Sequence, residues 1–341
     1  MKKLLNLFIY VGFIVVILIA VNIYRSLFKP VKIGEEGIEI FVPPGSEYED
    51  VKEALRSEGL LVNEKSFDLL AKRKNYTDNV KPGRYIVTDD MSYNDIMNLL
   101  RSGSQTPVKI VFNNIRTLDE LAVRLSAQLA ADSTEILNFL LEESNYISDG
   151  FSKETIMAIF LPDTYEMYWT VSPEDIYARM LKEFKAFWNS DRLNKARSFG
   201  LTAIEVSTLA SIVDDEVLME DEKPMIAGVY LNRLKIQMPL QACPTIKFAL
   251  NDFTIRRVLK EHLVVDSPYN TYMYRGLPPG PVRCATKSGI EAVLNATDHD
   301  YLYFVAKADF SGYHHFSRTL REHNNYANKY QAELDKMKIY N

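Results

Sequence analysis

Three consecutive carboxylates, Asp214, Asp215 and Glu216, close an apolar run within LASIVDDEVLMEDEKPMIAGVYLNRLKIQMPLQACPT, residues 209–245. Carboxyl groups can transfer protons, and burial decides which of them does. At 100° per residue, Leu209, Ile212 and Val213 share one helical face, and Glu216, at i+7, i+4 and i+3 from them, continues it. Asp215 falls well off that face and Asp214 points almost directly away. The spacing therefore predicts one carboxyl aimed at the interior and two aimed at water. Burial disfavours the charged form, and a glutamic acid that keeps its proton near neutral pH is what a general acid requires. The same periodicity also fits a solvent-facing glutamate at an acidic helix end. Three successive helical positions diverge by 100° each, so these carboxylates do not converge on one cation.

The stretch around them reads as an amphipathic helix, an acidic turn, a second helix opened by Pro224, and a tight loop at PLQACPT. Four further stretches follow: DSPYNTY (266–272), GLPPGPV (276–282), DYLYFVA (300–306) and HHFSRT (314–319). Several are rigid Pro/Gly frames that present Asn, Tyr, His, Gln and Thr. Paired polar donors beside aromatic faces suit a saccharide, whose hydroxyls need partners and whose ring faces stack. Each stretch taken alone also fits a turn with a satisfied side chain.

The chain has 341 residues, 47% of them apolar and 25% charged, enough for two or three domains with real cores. A net charge of −5 leaves no basic footprint for nucleic acid. There is no Gly-rich phosphate loop, no HExxH and no Cys/His cluster at zinc spacing. No cofactor or metal is therefore expected. Two cysteines allow at most one bridge.

The expected fold class is α+β. Leu4 to Tyr24 is an almost unbroken apolar run, about the length of a helix that spans a bilayer, without the cleavage site of a signal peptide. Basic residues flank it on both sides, so charge alone does not orient it. Residues 1–33 are expected to be a tip, a transmembrane anchor and a linker, with a short linker at Gly34 to Gly37. Residues 34–106 are expected to be a small α+β module. It would have a strand at Ile38, Ile40 and Val42, helices carrying Val51 and Leu55 and then Phe67, a strand RYIV, and a helix from Tyr93 capped by Ser92 and ended by Gly103. Residues 107–341 alternate strands and helices and hold every motif above.

In their order, FLPDTYE (160–166), the SIV-x-x-E helix, NRL (232–234), PLQ-x-x-PT, YNTY, GLPPGP and HHFS resemble the membrane-bound endolytic murein transglycosylases, the MltG (YceG-like) family. The resemblance runs over almost the whole chain and is densest from 159 to 325. It implies an extracytoplasmic, inner-membrane-anchored enzyme with a LysM-like module at 34–106. Such an enzyme cuts nascent peptidoglycan strands at MurNAc–GlcNAc β-1,4 bonds, leaves 1,6-anhydro-MurNAc ends and works beside cell-wall synthases. It places the catalytic glutamate at Glu216 and makes Asn232, Gln241, Thr245, Tyr269, Asn270, Tyr272, His315 and Ser317 candidates for substrate binding. The chain departs from the family pattern at two places. Cys243 stands where PLQ-x-D-PT has aspartate, and Arg283-Cys284-Ala285 stands where an Asn-Pro is usual. Both cysteines thus occupy motif positions, and a Cys243–Cys284 disulfide is expected in an oxidising compartment. The altered loop also leaves open a catalytically silent, glycan-binding scaffold for synthases.

Overall fold

The computed structural model describes residues 2–31, 37–217 and 219–336. Of the expected linker, residues 34–36 lie outside them. The chain divides into two compact units.

The first unit comprises residues 1–110, 128–131 and 165–172. It opens with helix α1 (Lys2–Phe28), whose apolar side chains from Leu7 to Val21, with Tyr24 and Phe28, are exposed. Among the described residues no helix is long and apolar enough to cross a membrane. Strands β1 (Ile38–Val42) and β2 (Gly83–Val87) pair antiparallel, Ile40 opposite Tyr85. Helices α2 (Tyr48–Ser57) and α3 (Glu64–Arg73) lie between them in sequence, and α4 (Tyr93–Ser102) follows. Period-2 alternation buries Ile40, Val42, Tyr85 and Val87 against Val51 and Leu55 of α2, Phe67 of α3, and Ile96, Met97 and Leu100 of α4. Ser92 caps α4, accepting from the Asp95 amide while Asp95 accepts from Ser92 in return. Gly103 ends it in the left-handed region, φ +71°.

Strands β3 (Val108–Phe112) and β4 (Asp163–Met167) form a two-stranded ribbon. The second unit is mainly helical. It holds α5 (Leu118–Ser126), α6 (Ser133–Leu141), α7 (Pro173–Phe187), α8 (Ser190–Ser198), α9 (Ala203–Glu216), α10 (Lys223–Lys235), α11 (Cys243–Ala249) and α12 (Lys287–Leu294). An antiparallel hairpin of β5 (Tyr303–Ala306) and β6 (His314–Ser317) leads into α13 (Leu320–Lys336). Pro244 and Thr245, expected in a loop, lie in the first turn of α11 instead, where proline's fixed φ and missing N–H are no handicap.

At the centre of this unit is α9. Thr202 caps it, accepting from the Glu205 amide at 3.2 Å, and every residue from Val206 to Asp214 is buried. It is thus not the amphipathic helix that the apolar spacing suggests. Short side chains make this possible, because the hydroxyls of Ser207, Thr208 and Ser211 donate to carbonyls of their own helix. Helices α8, α10, α11 and α12 pack around it. Gly289 of α12 sits so close to the Asp214 carboxylate that a Cβ there would collide with it.

Candidate active site

Glu216 is the last residue of α9, and protein closes around its carboxyl although part of the residue stays accessible. Its Oε1 accepts two hydrogen bonds: the Tyr230 hydroxyl of α10 donates at 3.0 Å and the Cys243 amide of α11 at 3.2 Å. Burial is the largest influence on the carboxyl and raises it; the Tyr230 bond lowers it, the neighbouring Asp215 charge raises it, and the Cys243 amide and Lys247 lower it. The balance lifts Glu216 from 4.5 to about 7. A carboxylic acid in that range exchanges its proton readily at neutral pH.

The two aspartates do not face water, contrary to the helix-face reading. Asp214 is buried and pairs with the equally buried Lys223 ammonium at 2.8 Å. It also accepts from the Thr286 amide at 2.7 Å and hydroxyl at 3.0 Å. Asp215 is held by Arg116 at 2.6 Å and Arg283 at 3.0 Å. The reason is that α9 has neighbours on every side, so a residue turned away from one apolar face meets another element rather than solvent. The three carboxylates therefore go to three separate sets of partners, and among the described residues no group of three His, Cys, Asp or Glu side chains is placed to hold a metal.

The residues expected to bind substrate fall into two groups. Tyr272 stands beside Glu216, its hydroxyl 3.4 Å from the sulfur of Cys243, a residue expected in a disulfide rather than at the substrate. Burial raises both of these groups above their ordinary values, so the thiol is held neutral. Gln241, in the left-handed region at φ +52°, exposes its side chain, while its amide donates to the Thr271 carbonyl at 3.0 Å. Tyr269 is half-buried against Phe248, ring centroids 4.6 Å apart, and burial pushes its phenol up to about 12. The His315 ring stacks on Tyr326 at 4.2 Å.

Of the others, Thr245, Asn270 and Asn232 are committed to the scaffold. Thr245 is fully buried and donates to Ala242 at 2.8 Å. Asn270 ties together the carbonyls of Leu263 and Val265 and the amides of Tyr272 and Met273. Asn232 donates to the carbonyls of His299, at 2.6 Å, and Tyr301, at 3.1 Å. It borders a cleft of about 1090 Å³ lined also by Gly228, Leu231, Lys235 and the Leu277-Pro278-Pro279 stretch. At helical spacing, 228, 231, 232 and 235 form one face of α10 and Tyr230 lies on the opposite one. Ser317 is buried, its hydroxyl without a partner among the described residues.

The expected disulfide is not formed, and both cysteines are free. Cys284 is fully buried with its thiol on the Met157 sulfur at 3.1 Å, whereas Cys243 faces Tyr272. Each thiol has its own neighbours, and a place in the family pattern carries no information about the distance between two side chains.

Tyr230 and Arg233 escaped the sequence reading. Arg233 is buried and donates to Leu240 at 2.6 Å and Leu302 at 2.7 Å, tying α10 to the loop before α11 and to the strand region. Arg233 was visible within NRL. Tyr230 had no signal, because its partner lies across an acidic turn on another helix.

A proton-exchanging carboxylic acid, braced from two other helices at the end of a buried one on a mixed α+β scaffold, defines a single-acid site. The YceG-like family model matches residues 40–329, and the chain belongs to that family. It is 29% identical over 323 residues to the endolytic murein transglycosylase of Bacillus subtilis, covering 90% of this chain and 88% of the relative. It is 30% identical over 304 residues to the protein of the same name from Streptococcus pneumoniae, covering 79% of this chain and 54% of that longer relative. A crystal structure of a YceG-like protein from Listeria monocytogenes superposes with a TM-score of 0.58 at 29% identity, over 86% of this chain and 99% of that one.

The raised carboxyl has a consequence for stability. The folded protein holds the Glu216 proton more tightly than the unfolded chain does. Stability linked to it is complete below about 4.5 and is lost as pH rises through about 7. Glu216→Gln removes this dependence. The variant is expected to gain melting temperature relative to the parent as pH rises from 5 to 8; a gap that is constant or shrinks with pH counts against a raised Glu216.

Proposed function

We propose that this chain is an endolytic lytic transglycosylase acting on peptidoglycan, with Glu216 as its acid and base. The observation that carries this is the Glu216 carboxyl, poised at about 7 at the end of α9, in a family whose curated members bear that name. Protonated, it gives its proton to the glycosidic oxygen as the C1–O bond between MurNAc and GlcNAc breaks and an oxocarbenium-like centre forms. As carboxylate, it takes the proton of the MurNAc C6 hydroxyl, whose oxygen bonds to C1 and closes a 1,6-anhydro ring. The proton returns to Glu216, no water is consumed, and no second carboxyl is needed as nucleophile. Rocking between two states in this way is easiest for a group near the working pH.

Cys243 in place of the family's aspartate does not favour the silent-scaffold reading. What Glu216 receives from that position is a backbone amide, which any residue but proline supplies. Glu216→Gln keeps the shape and loses the transferable proton, so cleavage of uncrosslinked glycan is expected to fall by about 10² to 10⁴-fold or more. Parent products should lack a reducing end and be one water lighter than hydrolysis products. A reducing-end product, or an active Glu216→Gln, would overturn the assignment.

Residues 1–33 are read as cytoplasmic tip, membrane anchor and linker, 34–106 as a LysM-like glycan-guiding module, and 107–341 as the catalytic domain. The catalytic domain would face outward across the plasma (inner) membrane, within reach of synthases and nascent strands. The exposed apolar side chains of α1, from Leu7 to Val21, support the anchor. The order strand, two helices, strand supports the module. Protease added outside spheroplasts should digest the body, and alkaline washing should leave the protein in the membrane; a protected body or an extractable protein is the contrary result. In hydrogen exchange on inactive Glu216→Gln, long glycan strands should slow exchange in 38–102 while a disaccharide does not. Unchanged exchange there with long strands removes the module's proposed role.

A further inference from the structure

We propose that Tyr230 is a positioning residue that keeps Glu216 Oε1 as an acceptor, so that Oε2 carries the proton given to substrate and later receives the one taken from it. The inference rests on the transglycosylase reading. Both donors that reach the carboxyl, the Tyr230 hydroxyl and the Cys243 amide, address the same oxygen. An acid whose one oxygen accepts two hydrogen bonds holds its own proton on the other. No partner occupies Oε2 among the described residues, which leaves it for the glycosidic oxygen.

The phenol is built to hold still. Tyr230 is 1% exposed, and its ring meets Phe304 edge-on at 5.8 Å. One turn along α10, Arg233 ties the helix to two carbonyls. When Glu216 has given up its proton, negative charge on Oε1 strengthens both bonds, and the carboxylate keeps its orientation for the return step. The groups that face Glu216 electrostatically are Asp215 from its own helix, Tyr230 and Arg233 from α10, Cys243 and Lys247 from α11, and Tyr272. Among these, the Tyr230 bond is the largest influence that favours the charged form.

The sign of the effect follows. Removing the hydroxyl raises Glu216 further above about 7. Cleavage starts from the acid form, so its rate falls as pH rises through this titration, and the alkaline limb should move to higher pH even as the maximum rate drops. In the full-length protein, Tyr230→Phe is expected to lose kcat by roughly tenfold or more, with KM held within about twofold and the alkaline limb displaced upward. Parent-like kcat overturns the proposal, as does a loss of rate with the limb unmoved or displaced downward, which would mark a merely structural tyrosine. A measurement on the parent alone needs no folded Tyr230 variant: the infrared carboxylic C=O band of Glu216, isolated by difference against Glu216→Gln. It should lie at the low frequency of a doubly hydrogen-bonded carbonyl, and the frequency of a free carbonyl would overturn the assignment of Oε1. If the parent makes no anhydro product, the transglycosylase reading has failed, and the infrared result still reports on Oε1.

Discussion

The architecture of the second unit depends on burying α9 on all sides. A helix with neighbours all round leaves no face for charge, yet this one ends in three carboxylates. The structure resolves the conflict by giving each a different compensation. Asp214 receives an ammonium and two donors, Asp215 receives two guanidinium groups, and Glu216 receives two neutral donors and, among the described residues, no directly bonded cation. A buried ion pair is poor evidence of net stability, but breaking one is costly. Lys223, Arg116 and Arg283 therefore fix where the end of α9 sits, and Glu216 inherits that fixed position.

How much of this is legible in the sequence follows from the range of each interaction. The first unit is local: its strands alternate, its helices carry i, i+3, i+4 faces, and Ser92 and Gly103 mark the ends of α4 by capping chemistry that acts within four residues. In the second unit, the face shared with Leu209, Ile212 and Val213 did not separate Glu216 from its neighbours, because α9 is buried all round and Asp214 is buried as well. The fates of Asp214 and Asp215 depend on Lys223 across the acidic turn and on residues about 70 and 100 positions away, Thr286, Arg283 and Arg116. The same holds for Asn232, Thr245 and Asn270, whose types suit a sugar equally well but whose atoms are spent on carbonyls and hydroxyls of the fold. Side-chain type tells what a residue can bond, while only the packing tells what has already been bonded.

Contrasting treatment of adjacent acids also sets the chemistry available. A group that must give a proton and then take one back works best when neither state is strongly preferred at the working pH. Burial pushes Glu216 towards the acid, and a bare Asp215 charge beside it would push harder in the same direction. The two arginines on Asp215 offset that neighbouring charge without touching Glu216 itself. Tyr230 and the Cys243 amide then draw the carboxyl back towards ionisation. Had a cation bonded Glu216 directly, as Lys223 does Asp214, the carboxyl would ionise well below neutrality and hold no proton to donate. Had no donor reached it, the acid would give up its proton reluctantly and reclaim it too readily to leave a working base. Two neutral donors on one oxygen, with the neighbouring Asp215 charge paired to two arginines, hold the group between those limits.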